Sequence, residues 1–122
     1  MRLDYIGNYN GYNENILRLY KFDKSEAIKF RDLISEVVVN KKQKLDLSKL
    51  DFIETGEFNL VLGLFKTDEG ILSRDNKNFI CALTLSGYQN MLKLLEPFCK
   101  KKLKVINTFM ILILQLIFCF LP

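Results

Sequence analysis

Lys100, Lys101, Lys102 and Lys104 stand directly before an apolar run that opens at Val105 and closes at Leu121, with Pro122 after it. A run of that kind has no polar face to give to water, so it divides the chain in two. Residues 1–99 must supply the water-soluble body, and residues 100–122 are a basic flank with an apolar tail. A body of about 100 residues can bury one core, so residues 1–99 are read as a single domain.

As a helix, residues 105–121 would reach about 25 Å, at the short end of what crosses a hydrocarbon core of about 30 Å. Asn107, Thr108 and Gln115 lie inside the run. Lysines at its start follow the positive-inside pattern and place the body on the cytoplasmic face of a membrane. The leading expectation is therefore a membrane-seeking tail with Lys100, Lys101, Lys102 and Lys104 as its flank. Two other readings stay open. The run supplies a last strand to the body, or it is an out-of-frame extension of a soluble protein, since AT-rich DNA read in a wrong frame yields Lys, Ile, Leu and Phe.

The net charge of +4 suggests nucleic acid until the charges are placed. The tail flank takes four of the 18 Lys and Arg, and the 14 that remain match the 14 Asp and Glu, all of which lie in the body. A neutral body offers no basic face to neutralise several phosphates, so no nucleic-acid partner is expected. The chain contains no histidine, which removes the commonest general base and metal ligand together with every imidazole-based triad or dyad. Cys81, Cys99 and Cys119 are the 3 cysteines. They lack the close spacing of a zinc knuckle or redox dithiol, and an odd number argues against a disulfide framework. No metal and no cofactor are expected. Residues 1–15 are polar and rich in Asn and Tyr, unlike a secretory signal, so the body is expected to be cytoplasmic.

Along the body, residues 7–15 have loop composition. Tyr9 and Tyr12 within them are the candidate ligand or partner surface, against the blander reading of rings folded over the core edge. Residues 16–22 read as a half-buried strand. Asp23 and Glu26 have capping-box spacing, and Ala27, Phe30, Ile34, Val37 and Val38 recur on one helical face, which predicts a helix over 23–40 with its last turn left open by the β-branched Val37-Val38-Val39. Residues 45–50 read as a short strand or irregular edge. Phe58, Leu60, Leu62 and Leu64 alternate with Asn59, Val61 and Gly63, a strand, and Thr67-Asp68-Glu69-Gly70 has turn chemistry. Residues 79–85 are apolar on both faces, as in a central strand, and are expected to pair antiparallel with residues 58–65. Ser86 and Gln89 repeat the capping-box spacing and predict a second amphipathic helix over 87–96, stopped by Pro97.

The order strand-helix-strand-strand-helix predicts an α+β fold, two amphipathic helices on one face of a mainly antiparallel sheet. It matches the first five elements of a ferredoxin-like plan. Phe30, Ile34, Leu62, Leu83, Leu92 and Leu95 are expected to share one core.

Chemistry-bearing patterns are sparse. Glu54 with Glu57, and Asp68 with Glu69, lie in turns where carboxylates are normally solvated. Cys99 beside the lysine run is a candidate nucleophile, but without an imidazole it is better read as a packed thiol. Cys119 fits the bare prenylation spacing, but with a terminal proline and an apolar setting that argue against it. The segments Tyr5-Ile6-Gly7-Asn8-Tyr9, Ile16-Leu17-Arg18-Leu19-Tyr20, Ala27-Ile28-Lys29-Phe30-Arg31 and Leu94-Leu95-Glu96-Pro97-Phe98-Cys99 resemble a family of small uncharacterised bacterial proteins. The likeness covers most of residues 1–100. It implies a polar, aromatic, strand-like ending after Cys99, from which this chain departs near Lys101. The resemblance implies no activity. The sequence therefore points to a non-enzymatic module that binds a protein or small ligand, held at the membrane by its tail, with a small enzyme using carboxylates or Cys99 as the alternative.

Overall fold

The computed structural model describes residues 1–6, 16–73 and 75–100. Two antiparallel strands, β1 (Arg2–Ile6) and β2 (Ile16–Tyr20), come first. Alternation along them sends Leu3, Leu17 and Leu19 into the core. The same alternation leaves Asp4 and Arg18 opposite each other on the other face, joined by two hydrogen bonds of 3.1 and 2.7 Å. β1 precedes the first strand expected from sequence, at residue 16; its apolar positions are interleaved with Arg2 and Asp4. Backbone bonds from the Leu3 amide to the Glu54 carbonyl (2.9 Å) and from the Glu54 amide to the Met1 carbonyl (2.8 Å) fasten this hairpin to the rest of the chain.

The expected capping box opens helix α1 (Lys24–Leu33). The Asp23 carboxylate accepts from the Glu26 amide at 2.8 Å, and Glu26 accepts from the Asp23 amide at 3.2 Å. The other Glu26 oxygen takes the Met1 amine at 2.8 Å, so one side chain caps the helix and anchors the first strand. The helical path continues to Asn40, but residues Ile34–Asn40 are wound as a π-helix. A Lys41 amide to Glu36 carbonyl bond of 3.0 Å closes it. The widened turns coincide with Val37-Val38-Val39, where stiff branched side chains crowd a regular α-turn.

The larger sheet contains β3 (Leu45–Asp46), β4 (Asn59–Leu64), β5 (Gly70–Leu72) and β6 (Asn78–Leu83) in the order β3-β4-β6-β5. A 3-10 turn, Leu47–Lys49, follows β3, so the expected strand or irregular edge at 45–50 is both. The antiparallel pairing expected between residues 58–65 and 79–85 is overturned: β4 and β6 run parallel, with Leu60 beside Phe79, Leu62 beside Cys81 and Leu64 beside Leu83. The Thr67–Gly70 turn does not fold the chain back onto β4. Gly70, at φ +81°, instead starts β5 at the far edge, and β5 returns antiparallel onto β6. The turn between those two strands is built by Asp75, which accepts from the Lys77 amide, the Asn78 amide and the Asn78 side chain at 3.0, 2.9 and 3.0 Å. The last strand thereby slots between its two predecessors, the sheet is mixed, and the element order becomes strand-strand-helix-strand-strand-strand-strand-helix.

Helix α2 (Leu85–Lys100) starts two residues before the expected Gly87. Its cap is Thr84 rather than Ser86: the Thr84 hydroxyl accepts from the Gly87 amide at 3.2 Å, and the Asp68 carboxylate accepts from the Thr84 amide and hydroxyl at 2.8 and 2.9 Å. A Cβ at Gly87 would lie 2.8 Å from that carboxylate, which is why no side chain stands there. Nor does the helix end by Glu96. It runs through Pro97, because a proline there removes one amide donor while Phe98 and Cys99 beyond it are buried, with the Phe98 ring edge-on to Phe22. Phe30, Ile34, Leu62, Leu83 and Leu95 share one core as expected, and Leu92 packs half-buried at its margin. The fold is thus α+β, with two helices and mixed sheets.

Candidate functional site

Side-chain parity on β4 and β6 gives the larger sheet two unlike faces. Leu60, Leu62, Phe79, Cys81 and Leu83 point inward and are buried. Val61, Gly63, Ile80 and Ala82 point the other way, Val61 beside Ile80 and Gly63 beside Ala82. The expectation that residues 79–85 are covered on both faces fails at Ile80, which is 41% exposed. Phe65, one residue past β4, is equally open at 41%.

Val61, Gly63, Phe65 and Ile80 line a groove of about 520 Å³ together with Leu45 and Leu50, with Lys44, Asp46 and Lys49 as its polar residues. The Lys44 side chain lies over Gly63 in its middle, within 3.4 Å of where a Cβ would stand, and Gly63 is buried. Asp46 is occupied elsewhere, accepting from the Ser48 amide and hydroxyl and from the Asn59 side chain at 3.0, 2.7 and 2.8 Å. Burial alone would push its carboxyl up, but the hydrogen bonds from Ser48 and Asn59 outweigh it and hold the group below the usual carboxylate range. The groove therefore offers apolar surface and two lysine ammonium groups, with its carboxylate already engaged.

Behind the groove the sheet is locked by Tyr88 of α2, which is fully buried. Its hydroxyl accepts from the Gly63 amide at 2.8 Å and donates to the Cys81 carbonyl at 2.5 Å. The flanking ladder bonds, Asn59 amide to Lys77 carbonyl and Phe65 amide to Leu83 carbonyl, are 2.8 and 2.9 Å long. The same register aims the Gly63 amide at Cys81, so the tyrosine bridges a rung of the parallel ladder from below. Burial drives the Tyr88 hydroxyl far above its ordinary range and the Cys81 thiol up to about 12, so both stay protonated in water. They are structural groups.

The residues singled out from sequence fare differently. Tyr9, Tyr12, Lys101, Lys102 and Lys104 lie outside the described residues, as does the run from Val105 to Leu121. Lys100 is exposed at the end of α2, its ammonium 3.6 Å from Glu96. Glu54 is exposed and paired with Arg2 at 3.1 Å, Glu57 is exposed in the turn before β4, and Asp68 caps α2 through Thr84. Cys99 is 4% exposed, and burial raises its thiol against the opposing pull of Arg31. Among the described residues no three Cys, Asp or Glu side chains gather to hold a metal ion, and no helix is long and apolar enough to cross a membrane. The groove was missed because a strand apolar on both faces reads as fully covered. The available signal was the small pair Gly63 and Ala82 beside the large pair Val61 and Ile80.

No protein-family model matches the chain, and no curated protein or solved structure is measurably similar to it.

Proposed function

We propose that this protein is a non-enzymatic interaction module. Its recognition surface is the outer face of the larger sheet, and its apolar tail tethers it to the cytoplasmic side of a membrane through the flank of Lys100, Lys101, Lys102 and Lys104. The observation that carries the reading is the outer face itself. Ile80 and Phe65, each 41% exposed, line one groove on the side of the sheet away from the core, and a concave, mainly apolar lining with a few polar groups is what a ligand or partner side chain fills. Glu54 and Asp68 support the same reading, because each carboxylate is already engaged in an ion pair or a helix cap.

The surface is tested with the dye 8-anilinonaphthalene-1-sulfonate on the full chain carrying Leu112→Glu and Leu116→Glu, which keep the dye off the tail. Dye fluorescence should be enhanced, and adding Ile80→Asp or Phe65→Asp should remove most of the enhancement, whereas Leu94→Asp on exposed α2 should not. Equal fluorescence in all of these proteins would retire the outer face as a recognition surface. The tether is tested separately by sedimenting the native chain with phosphatidylcholine vesicles, with and without phosphatidylserine. Binding should rise with phosphatidylserine and fall when the four lysines become Gln, each lysine contributing about 1 kcal/mol near an anionic surface.

A further inference from the structure

The groove on the outer face joins an apolar lining to an excess of positive charge. We propose that it takes a small amphipathic anion, a monocarboxylate on an unbranched chain of about eight to ten carbons, with the chain along β4 and the carboxylate at the ammonium groups of Lys44 and Lys49. This rests on reading the outer face as a recognition surface.

The charges point to an anion. Two ammonium groups line the groove against one carboxylate, and that carboxylate is engaged: Asp46 feels Lys49 but gives its hydrogen bonds to Ser48 and Asn59. Among the described residues neither Lys44 nor Lys49 is in an ion pair, whereas Arg2, Arg18, Arg31, Lys41 and Lys100 each are. The excess is one charge, which a carboxylate balances and a phosphate monoester, at about −2, exceeds. Lys44 is exposed although its Cγ stands close over Gly63, so its methylenes cover apolar surface while its ammonium reaches water. The apolar part suits a chain. Val61 and Phe65, four residues apart on one side of β4, lie about 13 Å from each other, and an extended chain of about ten carbons matches that at about 1.3 Å per carbon. Ile80 flanks the line beside Val61.

The test titrates the full chain carrying Leu112→Glu and Leu116→Glu, which keep apolar probes off the tail, with octanoate, octanol and octylammonium. The backbone amide shifts of Val61, Gly63, Phe65 and Ile80 in heteronuclear NMR spectra are the readout. Octanoate should move these amides and bind about threefold to tenfold more tightly than octanol, as two exposed ammonium groups allow. Octylammonium should bind no more tightly than octanol. Lys44→Gln with Lys49→Gln should lower the octanoate affinity to that of octanol and leave octanol unchanged; both side chains are exposed, so the fold is retained. Equal affinities for octanoate and octanol at these amides, or a preference that survives the two substitutions, overturn the inference and leave the outer face an apolar recognition surface. Octanoate that moves none of these amides overturns it too, and the dye experiment above then decides separately on the outer face. An acidic peptide with one phenylalanine that moves the same amides at lower concentration would make the occupant a polypeptide and overturn the small-ligand assignment. Shifts that change on dilution without any probe would overturn it by making the occupant a second copy.

Discussion

The two faces of the β4–β6 pair differ in what their apolar side chains are for. Inward, Leu62, Cys81 and Leu83 meet α2 and the π-helical turns, and Tyr88 ties the two strands from beneath; outward, Val61 and Ile80 have the same chemical character and remain partly open. Hydrophobicity alone therefore does not distinguish core from surface here. What distinguishes them is what packs over each position: inward, Leu60, Leu62, Phe79, Cys81 and Leu83 are all buried, while on the outward parity Gly63 and Ala82 are buried and Ile80 is open.

The contrast can be broken most severely at Leu83. Truncation to Ala should cost about 2 to 5 kcal/mol, read as a shift in the urea midpoint at unchanged slope. A cost below half of the lower value would mean that the inward face is not the rigid one. Tyr88→Phe should come next, at about 1 to 3 kcal/mol, because it keeps the ring but leaves the Gly63 amide and Cys81 carbonyl without their bridge. If the variant melts with the parent, the hydroxyl adds nothing to the ladder.

A sharper, smaller-scale comparison uses thiols on adjacent residues of one strand. With Leu112→Glu, Leu116→Glu and Cys119→Ser in place, Ile80→Cys should react readily at pH 8 while Cys81, raised to about 12 by burial, should react only through opening of the fold. Mass spectrometry of the peptide containing both positions reads the ratio directly. The smallest effect belongs to Ile80→Thr in the same polar-tail background, where loss of stability should stay under about 1 kcal/mol, as for a partly exposed site.

Much of the scaffold was legible because local rules decide it. The Asp23 and Glu26 box fixes where α1 begins, and the alternation of Leu60 and Leu62 with Asn59 and Val61 marks β4 and its inward face. Strand direction was not legible. A turn such as Thr67–Gly70 looks the same whether it closes a hairpin onto its neighbour or leads to the far edge, and only the three-dimensional slot between β4 and β5 makes β6 parallel to β4. The cap of α2 was misplaced for a related reason. Thr84 gains its geometry from Asp68, sixteen positions earlier, which no local spacing reveals. Of the candidate sites, the groove escaped because it combines residues from β3, β4 and β6, and Tyr9 and Tyr12 fall on residues the structure does not describe.

The claim on which the rest depends is that β6 presents a fully packed face at Phe79, Cys81 and Leu83 and an opposite face that is open at Ile80. In the polar-tail background, Ile80→Asp and Leu83→Asp place the same charge on opposite sides of β6. Thermal unfolding followed by circular dichroism should show a cooperative transition for Ile80→Asp, within a few degrees of the parent, and none for Leu83→Asp, whose buried carboxylate lacks a partner. Loss of the cooperative transition in both proteins would contradict the account, because the outer face would then be as much a part of the core as the inner one.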